Sequence, residues 1–163
     1  MNPDRVPDRS PRWPAAVGLV LCLAGLAVSA YLAIEHADRA RALACPESAT
    51  INCLKVTTSR YSEIAGVPVA YLGVGYFVLV SALASLALWR PARGWSLALS
   101  VAATAGVVFV LYLVWAEAFG LHAICLWCTA VHVITFVLFA VTLLGEALQG
   151  AGMTDPDPMG GRS

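Results

Sequence analysis

Four of the five cysteines in this 163-residue chain form two spaced pairs that could carry out thiol–disulfide chemistry. Cys125 and Cys128 enclose two residues in "CLWC", and Cys45 and Cys53 enclose seven in "CPESATINC". Thiols three residues apart on a helix share one face about 4.5 Å apart along the axis, close enough to form a disulfide. A helix amino terminus also favours the thiolate, which is the nucleophile in disulfide exchange. The CLWC pair is therefore a candidate redox centre.

The elements that carry these thiols are predicted to be membrane helices. Hydrophobic residues make up 60% of the chain and charged residues only 12%, against about 45–50% and about 25% in a soluble domain. Four stretches without Asp, Glu, Lys or Arg each reach the roughly 20 residues that a helix needs to cross a bilayer. The predicted fold is all-α, a bundle of four transmembrane helices at about 15–34, 67–89, 95–117 and 123–145.

Three connections join these helices, and only the first, roughly 35–66, is long. A polar loop of that length in a small protein is usually functional. Its segment "TTSRYSEIAG", at 57–66, predicts a short amphipathic helix that ends at Gly66 and covers the membrane surface as a lid. The other connections, at 90–94 and 117–122, are predicted to be tight turns, which make neighbouring helices antiparallel and the bundle up-down.

An up-down bundle places both cysteine pairs on one face of the membrane, because the first and third connections share a side. The amino tail, second connection and carboxyl tail carry six Lys and Arg residues, and the other two connections carry four. This asymmetry favours cytoplasmic termini and extracytoplasmic cysteines for a multi-pass protein of the cell (inner) membrane. The ends, 1–14 and 149–163, are predicted to be disordered.

A signal peptide is the alternative interpretation of the first apolar run, because three arginines precede it and "VSA" at 28–30 resembles a cleavage site. The run is longer than the typical core of a signal peptide, which favours a retained helix.

Zinc binding and a static disulfide are the alternatives to redox chemistry. The four paired cysteines could supply four zinc ligands, but thiols in an oxidising compartment are more often found as disulfides. Two pairs on one face instead predict a relay, because disulfide exchange moves electrons between pairs. In a bilayer a quinone is the obvious acceptor.

The net charge of zero leaves no basic surface for nucleic acid. Cys22 is predicted to be a small buried hydrophobe.

The two pairs, in this order on four spans and with "KVTTSRYSEIAGVPVAYLG" between them, resemble the vitamin K epoxide reductase family. The likeness covers about 15–144 and implies one family-like transmembrane domain at 15–148, in a bacterial form without a fused thioredoxin domain. It implies a membrane thiol oxidoreductase that draws electrons from a separate, secreted thioredoxin-fold thiol oxidase. The electrons end on a quinone, menaquinone or ubiquinone, so that disulfides form in exported proteins.

The resemblance also implies an order for the four thiols. Cys45 would face the protein partner, Cys53 would exchange with Cys125, and Cys128 would reach the quinone. The same depth order follows from the helix, since Cys128 lies one turn deeper than Cys125.

Two further residues are candidate quinone contacts. Ser59 occupies the position of the family's loop hydroxyl, although a helix-capping role explains it equally well. His132 lies one turn beyond Cys128, where the animal enzymes carry a tyrosine, and an ionisable side chain at that depth is a functional candidate. For His132, a neutral histidine bonded to a neighbouring helix is the alternative.

Glu117 and His122 flank the third connection and are interpreted as solvated surface residues, with proton handling as the alternative.

Three other functions stay open at this point. Reduction of a quinone or vitamin K epoxide uses the same cysteines, but Val69 stands where the animal family members have a hydrogen-bonding asparagine, which makes epoxide chemistry less credible. Unrelated four-helix thiol oxidases place CxxC near the first outer loop, unlike this chain. A structural tetraspan protein stapled by disulfides is the non-enzymatic alternative.

Overall fold

Four long helices dominate a computed structural model, which describes residues 13–38, 44–46, 48–90 and 92–151. The long helices are α1 (Trp13–Ala37), α3 (Val69–Trp89), α4 (Arg93–Trp115) and α5 (Leu126–Ala151). Between α1 and α3 lie the short helix α2 (Cys53–Thr57), a 3₁₀ helix (Arg60–Ser62), and the strands β1 (Glu63–Ile64) and β2 (Val67–Pro68).

Each long helix forms a segment long and apolar enough to cross a membrane, with mean hydropathies between 2.0 and 2.4. The predicted all-α fold with four spans is therefore confirmed. The predicted tails, 1–14 and 149–163, lie almost wholly outside the described residues, apart from the first residues of α1 and the last of α5.

The long helices pack in a ring, in which α1 and α4 each contact both α3 and α5. Neighbours are antiparallel: Gly25 of α1 meets Phe77 of α3, whereas Ser29, further along α1, meets Gly73, which comes earlier in α3. The arrangement is the predicted up-down bundle, so the carboxyl end of α1 and the amino ends of α3 and α5 share one end.

The apolar core fills the bundle away from that end. It is built from Cys22, Phe77, Val80, Ala84, Leu99 and Leu138. The Phe77 ring occupies the space that a Cβ at position 25 would need, so only glycine allows α1 and α3 to approach this closely. Cys22 is fully buried in this core, as the prediction of a small buried hydrophobe requires.

The helix predicted at 57–66 is wrong. The α2 helix ends at Thr57, and the Ser59 side chain then accepts a hydrogen bond from the Tyr61 N–H and caps the 3₁₀ helix. Such a local bond competes with continuation of an α-helix. Ala65 and Gly66 both have positive φ, 51° and 79°, as a two-residue type I′ hairpin turn demands. Gly66 therefore lies in the turn of a hairpin and does not end a helix.

The turn predicted at 117–122 is also wrong, whereas the short connection between α3 and α4 is confirmed. The α4 helix continues without a break into a π-helical segment, Ala116–Leu121. The chain reverses at His122, whose φ of 50° is left-handed and whose N–H bonds the carbonyl of Glu117. As a result α5 starts at Leu126 rather than near 123.

Candidate functional site

The amino end of α5 positions the CLWC pair. Cys125 lies directly before the helix, and its carbonyl accepts the Thr129 N–H at 2.9 Å. Its sulfur accepts the backbone N–H of Cys128 at 3.4 Å, in the place where a capping side chain satisfies a free helical N–H. Cys125 thus caps the helix and Cys128 lies in its first turn, one step further into the bundle.

The two thiols of this pair are not equivalent, because Cys128 stabilises a negative charge on Cys125. The Cys128 thiol donates a hydrogen bond to the Cys125 sulfur, and this is the main reason that the pKa of Cys125 lies below its usual value. Backbone N–H groups of Cys128 and Trp127 act in the same direction, while burial and the nearby Glu117 oppose them. In the reduced pair Cys125 is therefore the thiol that ionises first.

The loop pair is a disulfide between Cys45 and Cys53, with their Cα atoms 6.3 Å apart. Cys53 opens α2, where Asn52 caps the helix by accepting the Lys55 N–H at 2.8 Å. Only 1% of the Cys53 surface is exposed, whereas Cys45 is half-buried and reaches the molecular surface. The disulfide therefore joins a partly exposed cysteine to a buried one.

Hydrogen bonds attach the loop to the segment that precedes α5. Ile51 and Ile124 form a parallel bridge, in which the Asn52 N–H donates to the Ile124 carbonyl at 3.1 Å and the Ile124 N–H donates to the Thr50 carbonyl at 2.9 Å. Lys55 Nζ also donates to the Leu121 carbonyl at 2.7 Å. These hydrogen bonds fix the position of the loop relative to the segment between α4 and α5.

These attachments bring all four paired cysteines into one cluster. Cys53, Val56, Ala123 and Cys125 are buried together, with Cys45 and Cys128 packed against them. The gathering predicted from the order of the connections is therefore seen in the structure. Among the described residues, no three His, Cys, Asp or Glu side chains are arranged to hold a metal ion.

A predominantly apolar cavity of about 340 Å³ opens beside the cluster, between the long helices and the loop. Cys128 lines the cavity and Cys125 does not. Val69, which begins α3, also lies on the wall. The polar or ionisable side chains that line it are Ser29, His36, Thr57, Ser59, Tyr61, Ser62, Tyr76, Glu117, Cys128, His132 and Thr135.

Both predicted quinone contacts lie on this wall. Ser59 caps the 3₁₀ helix, as one interpretation of it required, and its hydroxyl donates to the Val56 carbonyl at 2.8 Å. His132 lies on α5 and is 5% exposed. The structure therefore brings Ser59, His132 and Cys128 to one cavity, and contact of the first two with a quinone stays a prediction.

Glu117 lies in surroundings that differ from those predicted. Interpretation as a solvated surface residue is wrong, since the π-helical segment buries Glu117 to 7% exposure on the cavity wall. His122, paired with it in that interpretation, is exposed as expected. The missed signal was an acidic residue directly after an apolar run of membrane-spanning length, where a charge is costly unless it has a function.

The family resemblance rests on an independent match as well. The model of the vitamin K epoxide reductase family matches residues 16–143. Among curated proteins none matches the chain. Because the family match covers most of the chain and includes both cysteine pairs, the chain belongs to the vitamin K epoxide reductase family.

Proposed function

We propose that this protein passes electrons from a secreted thioredoxin-fold thiol oxidase, through Cys45–Cys53 and then Cys125–Cys128, to a membrane quinone. Membership of the family implies a membrane oxidoreductase linked to quinones. The protein partner, the order of the thiols and the supply of disulfides to exported proteins are the proposal's own additions. The cysteine end of the bundle then faces the extracytoplasmic side of the cell membrane, with both termini in the cytoplasm.

The observation that carries this proposal is the graded access of four sulfurs within one cluster. Cys45 is partly exposed, Cys53 and Cys125 are both buried in the cluster, and Cys128 lines the apolar cavity. Because thiol–disulfide exchange needs direct contact between sulfurs, a gradient from water to an apolar cavity suits transfer between a soluble donor and a lipid-soluble acceptor.

The first half of the cycle is disulfide exchange. A partner thiolate attacks Cys45, the partner's second thiol resolves the mixed disulfide, and the loop pair becomes a dithiol. Cys53 then attacks Cys125, which frees Cys128, and Cys45 resolves the Cys53–Cys125 bond. Two electrons and two protons have moved from the partner to the CLWC pair, and the loop disulfide is restored.

The second half takes place at the cavity. A quinone accepts two electrons and two protons as it becomes hydroquinone, and the CLWC dithiol supplies both as it returns to a disulfide. The cavity fits this substrate, since its volume of about 340 Å³ falls within the range of ligand pockets, about 300–1,000 Å³. Its walls are predominantly apolar, and Cys128, Ser59 and His132 are among the polar side chains that line them. We expect His132 to donate to a quinone oxygen, and Ser59 to do so only by releasing the Val56 carbonyl, to which its hydroxyl donates.

The decisive experiment is anaerobic mixing of the lipid-embedded protein with a reduced thioredoxin-fold partner and either menaquinone or ubiquinone. Quinone absorbance should fall, with one hydroquinone formed for each partner disulfide. Cys22→Ala is the matched control, because Cys22 lies in the separate core and its loss should leave turnover nearly unchanged. Absence of quinone reduction with both quinones would contradict the proposal.

The same assay tests the epoxide alternative. Val69 places a hydrocarbon side chain on the cavity wall, so this position offers no hydrogen bond to polarise an epoxide oxygen. We expect quinone to be reduced much faster than quinone epoxide. Comparable rates would favour an epoxide reductase.

A further inference from the structure

Glu117 is the only acidic side chain that is buried among the described residues, with 7% of its surface exposed. It lies on the wall of the same cavity as Cys128. The backbone N–H of Cys125 interacts with its carboxyl group. Burial of a carboxyl group without a paired cation is costly, so its position between a thiol pair and an apolar cavity calls for an explanation.

The local backbone is what turns Glu117 inward. Glu117 belongs to the six-residue π-helical segment Ala116–Leu121 that extends α4. Wider π-helical turns are uncommon and occur frequently at functional sites. Here Ala116 and Glu117 are both buried, whereas Ala118, Phe119 and Gly120 are exposed. The segment therefore presents the Glu117 carboxyl group to the cavity, beside Ala116 and Leu121, while its middle residues face outward.

The Glu117 carboxyl group interacts electrostatically with the sulfurs of both Cys125 and Cys128. Neighbouring groups in an apolar site disfavour simultaneous negative charges. A proton that leaves one of the three groups is therefore drawn to another of the three. The reduced pair begins with a proton on each sulfur, and Cys125 is the first to ionise, because its sulfur accepts the Cys128 hydrogen bond. The thiol that faces the cavity therefore loses its proton second.

We propose that Glu117 is the proton carrier of the quinone-reducing step, which accepts protons from the Cys125–Cys128 dithiol and delivers them to quinone oxygens in the cavity. This inference rests on the proposed function, because it needs a dithiol that reduces a quinone. Cys128 must lose its proton as it reacts, and Glu117 is the carboxylate in place to receive it.

The dithiol supplies both protons and both electrons of the step. One thiol proton moves to the Glu117 carboxylate, and from its carboxyl group to a quinone oxygen. The second proton, released as Cys125 and Cys128 close their disulfide, follows the same route to the other oxygen. Two electrons pass from the two sulfurs to the quinone, and Glu117 ends the step ionised, as it began.

Other titratable groups face this cavity from each packed element. They are Cys128 and His132 from α5, Tyr61 from the 3₁₀ helix, Tyr76 from α3 and His36 from α1. Lys55 of α2 donates its hydrogen bond to the Leu121 carbonyl, at the far end of the π-helical segment. Glu117 alone among these groups interacts with both sulfurs of the CLWC pair.

The test is Glu117→Gln, which keeps the size of the side chain and one acceptor oxygen but cannot carry a proton. Quinone reduction by the chemically reduced protein should slow by about 100-fold or more, as loss of a general acid–base does. Glu63→Gln is the matched control, since Glu63 is exposed on β1 outside the cavity, and it should retain the wild-type rate.

A second readout needs no quinone. Ultraviolet absorbance of the Cys125 thiolate, followed against pH, should titrate at lower pH in Glu117→Gln, because a neighbouring negative charge has been removed. The combination of more thiolate with slower quinone reduction marks a lost proton carrier, whereas a purely structural role would not produce it. An unchanged quinone rate, or a titration moved to higher pH, would overturn the inference.

If Glu117→Gln does not fold, the role of Glu117 can be tested in the wild-type protein. Infrared difference spectra during a single turnover should show a buried carboxyl group gain and then lose a proton, and absence of that band would overturn the inference. The two proposals fail separately: a wild-type dithiol that cannot reduce quinone defeats the proposed function, whereas a wild-type rate in Glu117→Gln defeats only the role of Glu117.

Discussion

The two cysteine pairs have the same chemistry but are held in different ways. Cys45 and Cys53 are eight residues apart and joined across a loop, with one sulfur near the surface. Cys125 and Cys128 are fixed by the first turn of a long helix, with one sulfur capping the helix and the other on an apolar cavity. The loop pair is thus suited to a protein in water and the helix pair to a small molecule in lipid, because their surroundings differ while their thiols do not.

The attachments of the two pairs differ as well. The loop pair depends on a few hydrogen bonds to neighbouring segments, such as the Ile51–Ile124 bridge and the bond from Lys55 to Leu121. The helix pair is part of α5, which packs along both α1 and α4. We therefore expect substitutions in the helix pair to abolish electron transfer with every donor, and substitutions in the loop pair to affect protein donors selectively.

The largest effect is expected from Cys128→Ala. Without the sulfur that faces the cavity, quinone reduction should fall at least about a thousand-fold, as it does when an essential nucleophile is removed. The remaining Cys125 thiolate should attack Cys53 and hold a stable Cys53–Cys125 disulfide, which peptide mass mapping detects.

This substitution also separates a catalyst from a structural protein. Cys128 is a free thiol in the structure, so its removal should leave the thermal unfolding temperature nearly unchanged. A large drop in that temperature with turnover preserved would favour the structural alternative.

The next largest effect is expected from Cys45→Ala, which removes the accessible sulfur and leaves the helix pair intact. Turnover with a thioredoxin-fold donor should fall by about 100-fold, because exchange requires an attackable loop disulfide. Turnover with a small membrane-permeable dithiol, which can reduce the helix pair directly, should stay within a few-fold of wild type. Equal losses of turnover with both donors would contradict the proposal that the loop pair serves protein donors and the helix pair reduces the quinone.

Much of this comparison was predictable from the sequence, because it depends on topology. Four apolar runs with short second and third connections fix an up-down bundle, and that alone brings Cys45 and Cys53 to the same end as Cys125 and Cys128. The depth of Cys128 below Cys125 follows from the rise of a helix. These inferences survive small errors in helix boundaries.

The wall of the cavity was less predictable, because it depends on local backbone geometry. The inward direction of Glu117 follows from a π-helical continuation of α4, which no simple periodicity of the sequence indicates. The error at 57–66 has a similar cause, since the Ser59 cap and the positive φ of Ala65 override an amphipathic pattern. Hydrogen bonds between distant segments, such as those of Lys55 and Trp127, have no signature in the sequence.

A smaller effect is expected in the pH dependence of the helix pair. In a background without Cys45 and Cys53, the Cys125 thiolate should appear as pH rises through a pKa that lies below the usual cysteine value. Adding Cys128→Ala removes the donor that stabilises this thiolate, so the titration should move to higher pH. Ultraviolet absorbance measures both titrations, and a shift to lower pH would contradict the assigned hydrogen bond.

The smallest effect is expected from Trp127→Phe, which tests how the loop pair is held. Trp127 Nε1 donates to the Ala44 carbonyl at 3.0 Å beside Cys45, and its ring packs on Tyr31 with centroids 4.9 Å apart. Phenylalanine keeps the ring contact and loses the hydrogen bond, which is worth about 1 kcal/mol. Amide hydrogen exchange in the Cys45–Cys53 loop should become roughly five-fold faster, because a loss of about 1 kcal/mol raises the population of the open loop by that factor.

Trp89→Phe, at an exposed site on the opposite end of the bundle, is the control for Trp127→Phe and should leave loop exchange unchanged. Turnover with a small dithiol should not change in either variant, because the helix pair does not depend on this contact. Turnover with a protein donor should change by no more than a few-fold in Trp127→Phe, since the Ile51–Ile124 bridge still attaches the loop. If small-dithiol turnover fell in parallel with protein-donor turnover, the loop and the helix pair would share one support, and the separation between them would be lost.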